Sequence, residues 1–268
     1  MKNLKLNNDV KIPIVGCGTN TFGKEGNQYS GDLRGDTKEV DWAIENGYRH
    51  FDSAQVYFNE EVLGEGIKKS SLPRKDFFIT TKLNTRGGFR GIKWAQGEIE
   101  KSLEKLQTNY IDLFLIHFPW DNKDEILEAW NLLEDYYNRG VFRSIGVSNF
   151  EKEHLDLILS HGKVKPAVNQ IESHVGKWNE ERIAYNKSKD IKTVAWSPLG
   201  GIDENAKRVL EEIGKTYGKK YAQIVLRYQI ERDVIVIPKS HNKERQAQGL
   251  DIFDFQLTAN DRERIAAL

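Results

Sequence analysis

A chain of 268 residues is longer than a typical domain, yet α/β barrels routinely run to about 200–250 residues or more as one domain. Lysine plus arginine and aspartate plus glutamate number 40 each, so no global charge draws the chain toward nucleic acid or an anionic membrane. Cys17 is the only cysteine, which excludes an intrachain disulfide framework and a cysteine-rich zinc site and fits a reducing compartment.

From the N-terminus, Leu4-Lys5-Leu6 and Val10-Lys11-Ile12 alternate around the turn-prone Asn7-Asn8-Asp9, which predicts a β-hairpin. This start lacks the apolar core of a signal peptide, and no later stretch reaches the roughly 18 apolar residues of a membrane span. A soluble, cytoplasmic protein without membrane or nucleic-acid partners is expected. Short apolar runs then recur at 14–15, 48–51, 77–80, 111–117, 143–147, 167–171, 193–196 and 234–237. Charged segments with helical spacing separate most of them. Residues 37–46 open on Thr37 and stop at Gly47. Residues 97–106 put Ile99, Leu103 and Leu106 on one face, and 124–138 do the same with Ile126, Leu127, Trp130 and Leu133 before Gly140. Eight strands alternating with amphipathic helices argue for parallel βα units, and eight units favour a closed (β/α)8 TIM barrel over an open sheet. With no long linker or repeat, residues 1–268 read as a single domain.

Polar residues sit at the downstream ends of these strands, where barrel enzymes build their sites. Asp52 follows one strand, Lys82 the next and His117 a third; Ser148-Asn149, Gln170 and Lys239 hold the same place later. Taken singly, Asp52 is as well explained as a helix cap, and Lys82 as a surface side chain with a buried stem. His117 alone fits a hydrogen-bonded core histidine, and Tyr57 alone fits packing. Lys or Asp at several strand ends is costly without partners, so their coincidence on one face points to a common site. Gly16-Cys17-Gly18-Thr19-Asn20-Thr21 offers a Gly-x-Gly after the first strand, but position 21 is not glycine, so the Rossmann fingerprint fails.

The segment His50-Phe51-Asp52-Ser53-Ala54-Gln55-Val56-Tyr57 resembles the signature of the aldo-keto reductase family, with Ala two residues and Tyr five residues after Asp. Thr81-Lys82-Leu83, Ile116-His117-Phe118-Pro119, Gly146-Val147-Ser148-Asn149-Phe150 and Ile237-Pro238-Lys239-Ser240 match in order, so the resemblance spans essentially the whole chain. It implies an NADPH-dependent reductase of aldehydes or ketones, monomeric, with Asp52, Tyr57, Lys82 and His117 as the catalytic tetrad. In that scheme Tyr57 is the general acid, Lys82 lowers its pKa, Asp52 holds Lys82, and His117 orients the carbonyl oxygen.

The resemblance also implies a cofactor site without a metal. Ser148, Asn149 and Gln170 meet the nicotinamide carboxamide, and Trp196 replaces the family's stacking tyrosine. Lys239, Ser240, Asn242 and Arg245 bind the 2′-phosphate, a suitable task for cationic side chains. Gly18, Thr19, Asn20, Asp52, Ser197, Leu199, His241 and Gln248 complete the set. The charges of 239–245 alone read more readily as a solvated loop than as a binding site. The chain departs from the family at Gln248-Gly249, where Glu-Asn commonly contacts adenine, which implies a weaker or less selective adenine end. On the substrate side His117, Phe118 and Trp120 line the pocket, with Phe22 or Trp94 as further candidates. Asn20 stands where many relatives carry an aromatic, so one wall is more polar. The short stretch after Leu257 implies an open pocket taking small aldehydes, α-dicarbonyls or keto compounds. Two other readings stay open: a barrel that holds NADPH as a sensor or scaffold, and a Schiff-base enzyme using Lys82, against which a neighbouring carboxylate argues.

Overall fold

The computed structural model describes residues 2–268. An antiparallel hairpin of β1 (Asn3–Lys5) and β2 (Lys11–Pro13) precedes the main sheet, pairing Leu4 with Ile12 across the Asn7-Asn8-Asp9 turn. Asp9 takes a φ of 69°, a conformation that Asp and Asn tolerate better than other side chains. Asn7 donates to the Pro166 carbonyl at 2.9 Å and Asn8 to that of Arg143 at 2.9 Å, which pins the hairpin to the segments that lead into two of the strands.

Eight parallel strands follow: β3 (Cys17–Gly18), β4 (His50–Asp52), β5 (Phe78–Leu83), β6 (Leu113–Ile116), β7 (Ile145–Ser148), β8 (Val168–Glu172), β9 (Lys192–Trp196) and β10 (Ile235–Val236). Each pairs with its sequence neighbour. A parallel bridge between Val15 and Val236, with Gly16 N–H donating to the Val236 carbonyl at 2.8 Å, closes the sheet into a barrel. The intervening helices are α1 (Lys38–Asn46), α2 (Glu60–Lys69), α3 (Ile92–Lys105), α4 (Lys123–Asn138), α5 (Lys152–His161) and α6 (Glu180–Ser188). Then come α7 (Glu204–Tyr217), α8 (Tyr221–Glu231), α9 (Lys243–Leu250) and α10 (Ala259–Ala266). The fold is a (β/α)8 barrel with an N-terminal hairpin.

Several boundaries differ from the sequence reading. The first strand pairs regularly at Cys17–Gly18, with Val15 making a lone bridge at the seam. Helix α3 begins at Ile92 and runs through Gly97, the residue expected to open it. A helix-interior glycine costs about 1 kcal/mol, which burial of Ala95 and Ile99 on the same face outweighs. Helix α1 ends as expected, Gly47 adopting a φ of 103° that only glycine takes without strain. Thr37, however, spends its hydroxyl on the Asp41 carboxylate rather than on a backbone N–H.

The strands are buried on both faces, as parallel strands under helices must be. Phe114 stacks on Phe142 at 4.4 Å, and burial of each such ring contributes about 1.5–3 kcal/mol. Asp112 interrupts the apolar run before β6 and is fully buried. Arg74 at 2.8 Å, Arg143 at 2.9 Å and the Ile79 N–H at 3.0 Å meet its oxygens, so the charge is not left alone. No helix among the described residues is long and apolar enough to cross a membrane.

Candidate active site

The C-terminal ends of the strands open into a cavity of about 530 Å³. At its floor Asp52 closes β4 and Lys82 lies on the neighbouring β5. Both are essentially buried, and the Lys82 ammonium donates to Asp52 Oδ1 at 2.5 Å and to the Ser53 carbonyl at 2.7 Å. Gln170, in the middle of β8, donates to the other Asp52 oxygen at 2.7 Å across the barrel. Thr19 contributes its N–H and its hydroxyl to the Asp52 carbonyl. Burial drives the Lys82 pKa down, but the Asp52 carboxylate and then Tyr57 together more than offset it, and the net direction is upward. The lysine is held as a cation.

Tyr57 ends a short 3-10 turn, Gln55–Tyr57, that follows β4. Its ring centroid lies 5.1 Å from the Lys82 ammonium and 5.9 Å from the His117 ring, edge to face. The sequence reading expects Lys82 to lower the phenol's pKa. The net direction is opposite: burial raises it, Lys82 opposes, and Asp52 adds to the rise. Burial outweighs the ammonium, so Tyr57 keeps its proton. His117, just past β6, has its pKa pulled down to about 2, by burial first and then by the Lys82 and Arg86 charges. It is therefore neutral at physiological pH, with a buried Nδ1 that has no partner and its ring stacked on Phe118 at 4.4 Å. The four strand-end residues singled out in the sequence thus meet, with a protonated phenol and a neutral imidazole facing one space.

One side of the cavity is built from β7, β8 and β9. Asn149, at a φ of 62°, donates to the His117 carbonyl and to Ser148 Oγ, and its Oδ1 accepts from Trp196 Nε1 at 2.9 Å. That bond fixes the plane of Trp196. An amide oxygen has two lone pairs and a hydroxyl one proton, so Asn149 Oδ1, Ser148 O–H and the Gln170 carbonyl oxygen retain capacity for a bound amide. Ser197, at a φ of 50°, and Leu199 continue this wall, with Gly18, Thr19, Asn20 and Lys239 opposite. Lys239, Pro238 and Leu199 also line a second groove of about 710 Å³. Ser240, Asn242, Arg245 and Gln248 border it, and Asn242 Oδ1 caps α9 by accepting from the Arg245 N–H at 2.9 Å. Lys239 donates to Thr21 Oγ1 at 2.8 Å, and neither Lys239 nor Arg245 has a carboxylate partner among the described residues. The two cavities share Leu199, Pro238 and Lys239, the first with polar side chains on the β7–β9 wall and the second with Lys239 and Arg245 beside the start of α9.

Some of the expected residues stand apart from the two cavities. His241 lines neither cavity: its Nδ1 meets Glu39 at 3.0 Å and its Nε2 meets Thr21 at 2.8 Å, because the buried Glu39 carboxylate and the Thr21 hydroxyl draw the ring away from the cleft. It stands behind Lys239, joined to it through Thr21. Trp120 is absent from the cavity wall, stacked on Phe89 and donating to Glu125 at 2.9 Å. Phe22 is fully buried in the core, and Trp94 lies on the outer helix α3 against Arg90, so neither loop aromatic joins the pocket. Phe118 does line it. At the far groove, a Cβ on Gly249 would come within 2.6 Å of the Tyr48 hydroxyl, so Tyr48 fills the place of the absent side chain. Tyr29, Val56 and Arg86 also line the first cavity and escaped the sequence reading, since two of them lie on long loops without periodicity. Val56, inside the recognised motif, could have been found from its place beside Tyr57.

The model of the aldo/keto reductase family matches residues 14–268. The chain belongs to this family. It is 40% identical over 267 residues to a glyoxal reductase of Bacillus subtilis, covering 99% of this chain and 92% of that protein. It is 38% identical over 228 residues to the methylglyoxal reductase DkgA of Escherichia coli K12, covering 84% and 82%. Among solved structures, an aldo-keto reductase of Bombyx mori in complex with NADP superposes with a TM-score of 0.89 at 36% identity, covering 99% of this chain and 92% of that one.

Proposed function

We propose that this chain is an NADPH-dependent reductase of small aldehydes, α-dicarbonyls and keto compounds. The observation that carries the reading is the meeting of a protonated Tyr57, a neutral His117 and the buried Lys82–Asp52 pair in a cleft with a cationic far end. NADPH, when bound, supplies the hydride that turns the carbonyl carbon into an alcohol. The remaining work belongs to the chain. Tyr57 gives its proton to the carbonyl oxygen, and Lys82 stabilises the phenolate left behind. Asp52 keeps Lys82 in place, and a neutral His117 donates a hydrogen bond that orients the same oxygen. Ser148, Asn149 and Gln170 hold the carboxamide, Trp196 stacks on the ring, and Lys239, Ser240, Asn242 and Arg245 take the 2′-phosphate at the start of α9. Gly18, Thr19, Asn20, Ser197, Leu199 and Gln248 line the path between.

The same reading has residues 1–268 acting as one monomeric domain in the cytoplasm, where a single buried thiol is at no disadvantage. A Schiff-base role for Lys82 is disfavoured by its Asp52 partner, which keeps the amine protonated and non-nucleophilic.

Titration of the protein's tryptophan fluorescence with NADPH and with NADH tests the cofactor assignment. The wild type should bind NADPH more tightly. Lys239→Met should weaken NADPH about tenfold, the scale of one lost charge-assisted hydrogen bond, and leave NADH nearly unchanged. Equal affinities for the two cofactors in the wild type would overturn the assignment of the far groove to a 2′-phosphate.

A further inference from the structure

The substrate mouth carries a cation that the proposed chemistry does not use. Arg86 lines the cavity beside His117, whose pKa its charge helps to depress. The loop that bears it is anchored to the strand end: Thr85 Oγ1 donates to the Phe118 carbonyl at 2.9 Å and accepts from the Phe118 N–H at 3.1 Å. The Arg86 guanidinium lies 5.8 Å from the centroid of Tyr29, and that ring meets Tyr57 edge to face at 6.2 Å. Arg86 therefore stands one aromatic ring away from the proton donor.

Other charges at this cavity are committed. Asp52 is paired with Lys82, and Lys239 sits on Thr21 at the junction with the second groove. Arg86 is exposed and, among the described residues, takes part in no ion pair, whereas nine of the 14 arginines do. A second polar group at this cavity is unpartnered: Asn20 Oδ1 is buried without a hydrogen bond. An aromatic wall alone would suit a neutral carbonyl compound; a free guanidinium at the mouth adds a partner for an anion.

Resting on the reductase reading, we propose that Arg86 selects carbonyl substrates bearing a carboxylate a few carbon atoms from the reacting group. The carbonyl oxygen sits between Tyr57 and His117 while the carboxylate meets the guanidinium, a pairing whose planar geometries match.

Succinic semialdehyde and its methyl ester, methyl 4-oxobutanoate, differ in the charge at the end of a chain of the same length. The ratio of their kcat/KM values, followed by NADPH consumption at low ionic strength, reads the selection directly. Wild type should favour the acid by about tenfold, the scale of one exposed charge-assisted contact, and the preference should shrink with added salt. Arg86→Met should bring the ratio close to one, mainly through the KM of the acid, and Arg86→Glu should invert it. Arg86→Lys, which keeps the charge but not the fork, should fall between. A wild-type ratio near one, or a ratio that Arg86→Met leaves unchanged, overturns the proposal while the ester's turnover still upholds the reductase reading. Binding of NADPH with turnover of neither compound refutes both.

Discussion

Tyr57→Phe retains its affinity for NADPH and loses roughly 10²–10⁴-fold in turnover, the range a positioned general acid contributes. The substitution removes one oxygen from a ring whose edge contacts, to His117 and to Tyr29, remain available. Packing is preserved and proton donation is not. The pH dependence follows from the same groups. Tyr57 has its pKa raised, by burial ahead of the other influences, so it is protonated through neutral pH. Reduction should then decline only as the pH climbs into and beyond the ordinary phenol range of about 10. His117 is neutral above about 2, so no loss of activity should appear as the pH falls through the ordinary histidine range. Turnover of Tyr57→Phe within a few-fold of wild type would remove Tyr57 as the proton donor. An acidic limb near the unperturbed histidine pKa, traced to His117 by its absence in His117→Gln, would contradict the neutral imidazole.

Lys82→Met destabilises the fold by about 3–5 kcal/mol in urea unfolding and abolishes most turnover, because it strands a buried carboxylate. Asp52 is almost fully enclosed, and its carboxylate keeps only the Gln170 amide once the ammonium is gone. The double variant Asp52→Asn with Lys82→Met should recover most of the lost stability, since neither charge then remains buried. It should not recover turnover, because the cation beside Tyr57 is still missing. That separation distinguishes a catalytic pair from a structural one. A double variant regaining both stability and activity would reduce Lys82–Asp52 to a fold-stabilising contact, and a single variant with unchanged stability would contradict the burial argument.

The barrel was legible because its signal is repeated. Eight apolar runs, each followed by a segment of helical spacing, leave few topologies, and the residues just past those runs necessarily share one rim. That is why Asp52, Lys82, His117, Ser148 and Gln170 could be grouped before any coordinate was known. Edges of elements were less legible: Gly97 reads as a helix boundary locally, yet tertiary burial of Ala95 and Ile99 carries α3 through it. Side-chain direction was not legible at all on the loops. His241 follows Lys239 closely and carries the right chemistry for a phosphate, but its direction is set by Glu39, some 200 residues earlier in the chain. Trp120 is turned aside by Phe89 and Glu125 in the same way. Tyr29 and Arg86 reach the cavity through loops whose courses depend on contacts such as the Lys24–Leu33 bridge and the Thr85–Phe118 pair, which no periodicity announces. The pKa of Tyr57 was misjudged for a related reason. A lysine beside a phenol lowers its pKa, but burial of the phenol raises it, and here burial is the larger of the two.

The most direct test of the central claim is the consumption of NADPH by the purified chain, followed by absorbance, with and without methylglyoxal at neutral pH. The account predicts oxidation that depends on the carbonyl compound and proceeds faster with NADPH than with NADH. Firm NADPH binding with no consumption on methylglyoxal or any other small aldehyde would contradict it, and would recast the chain as a barrel that holds its cofactor without reducing anything.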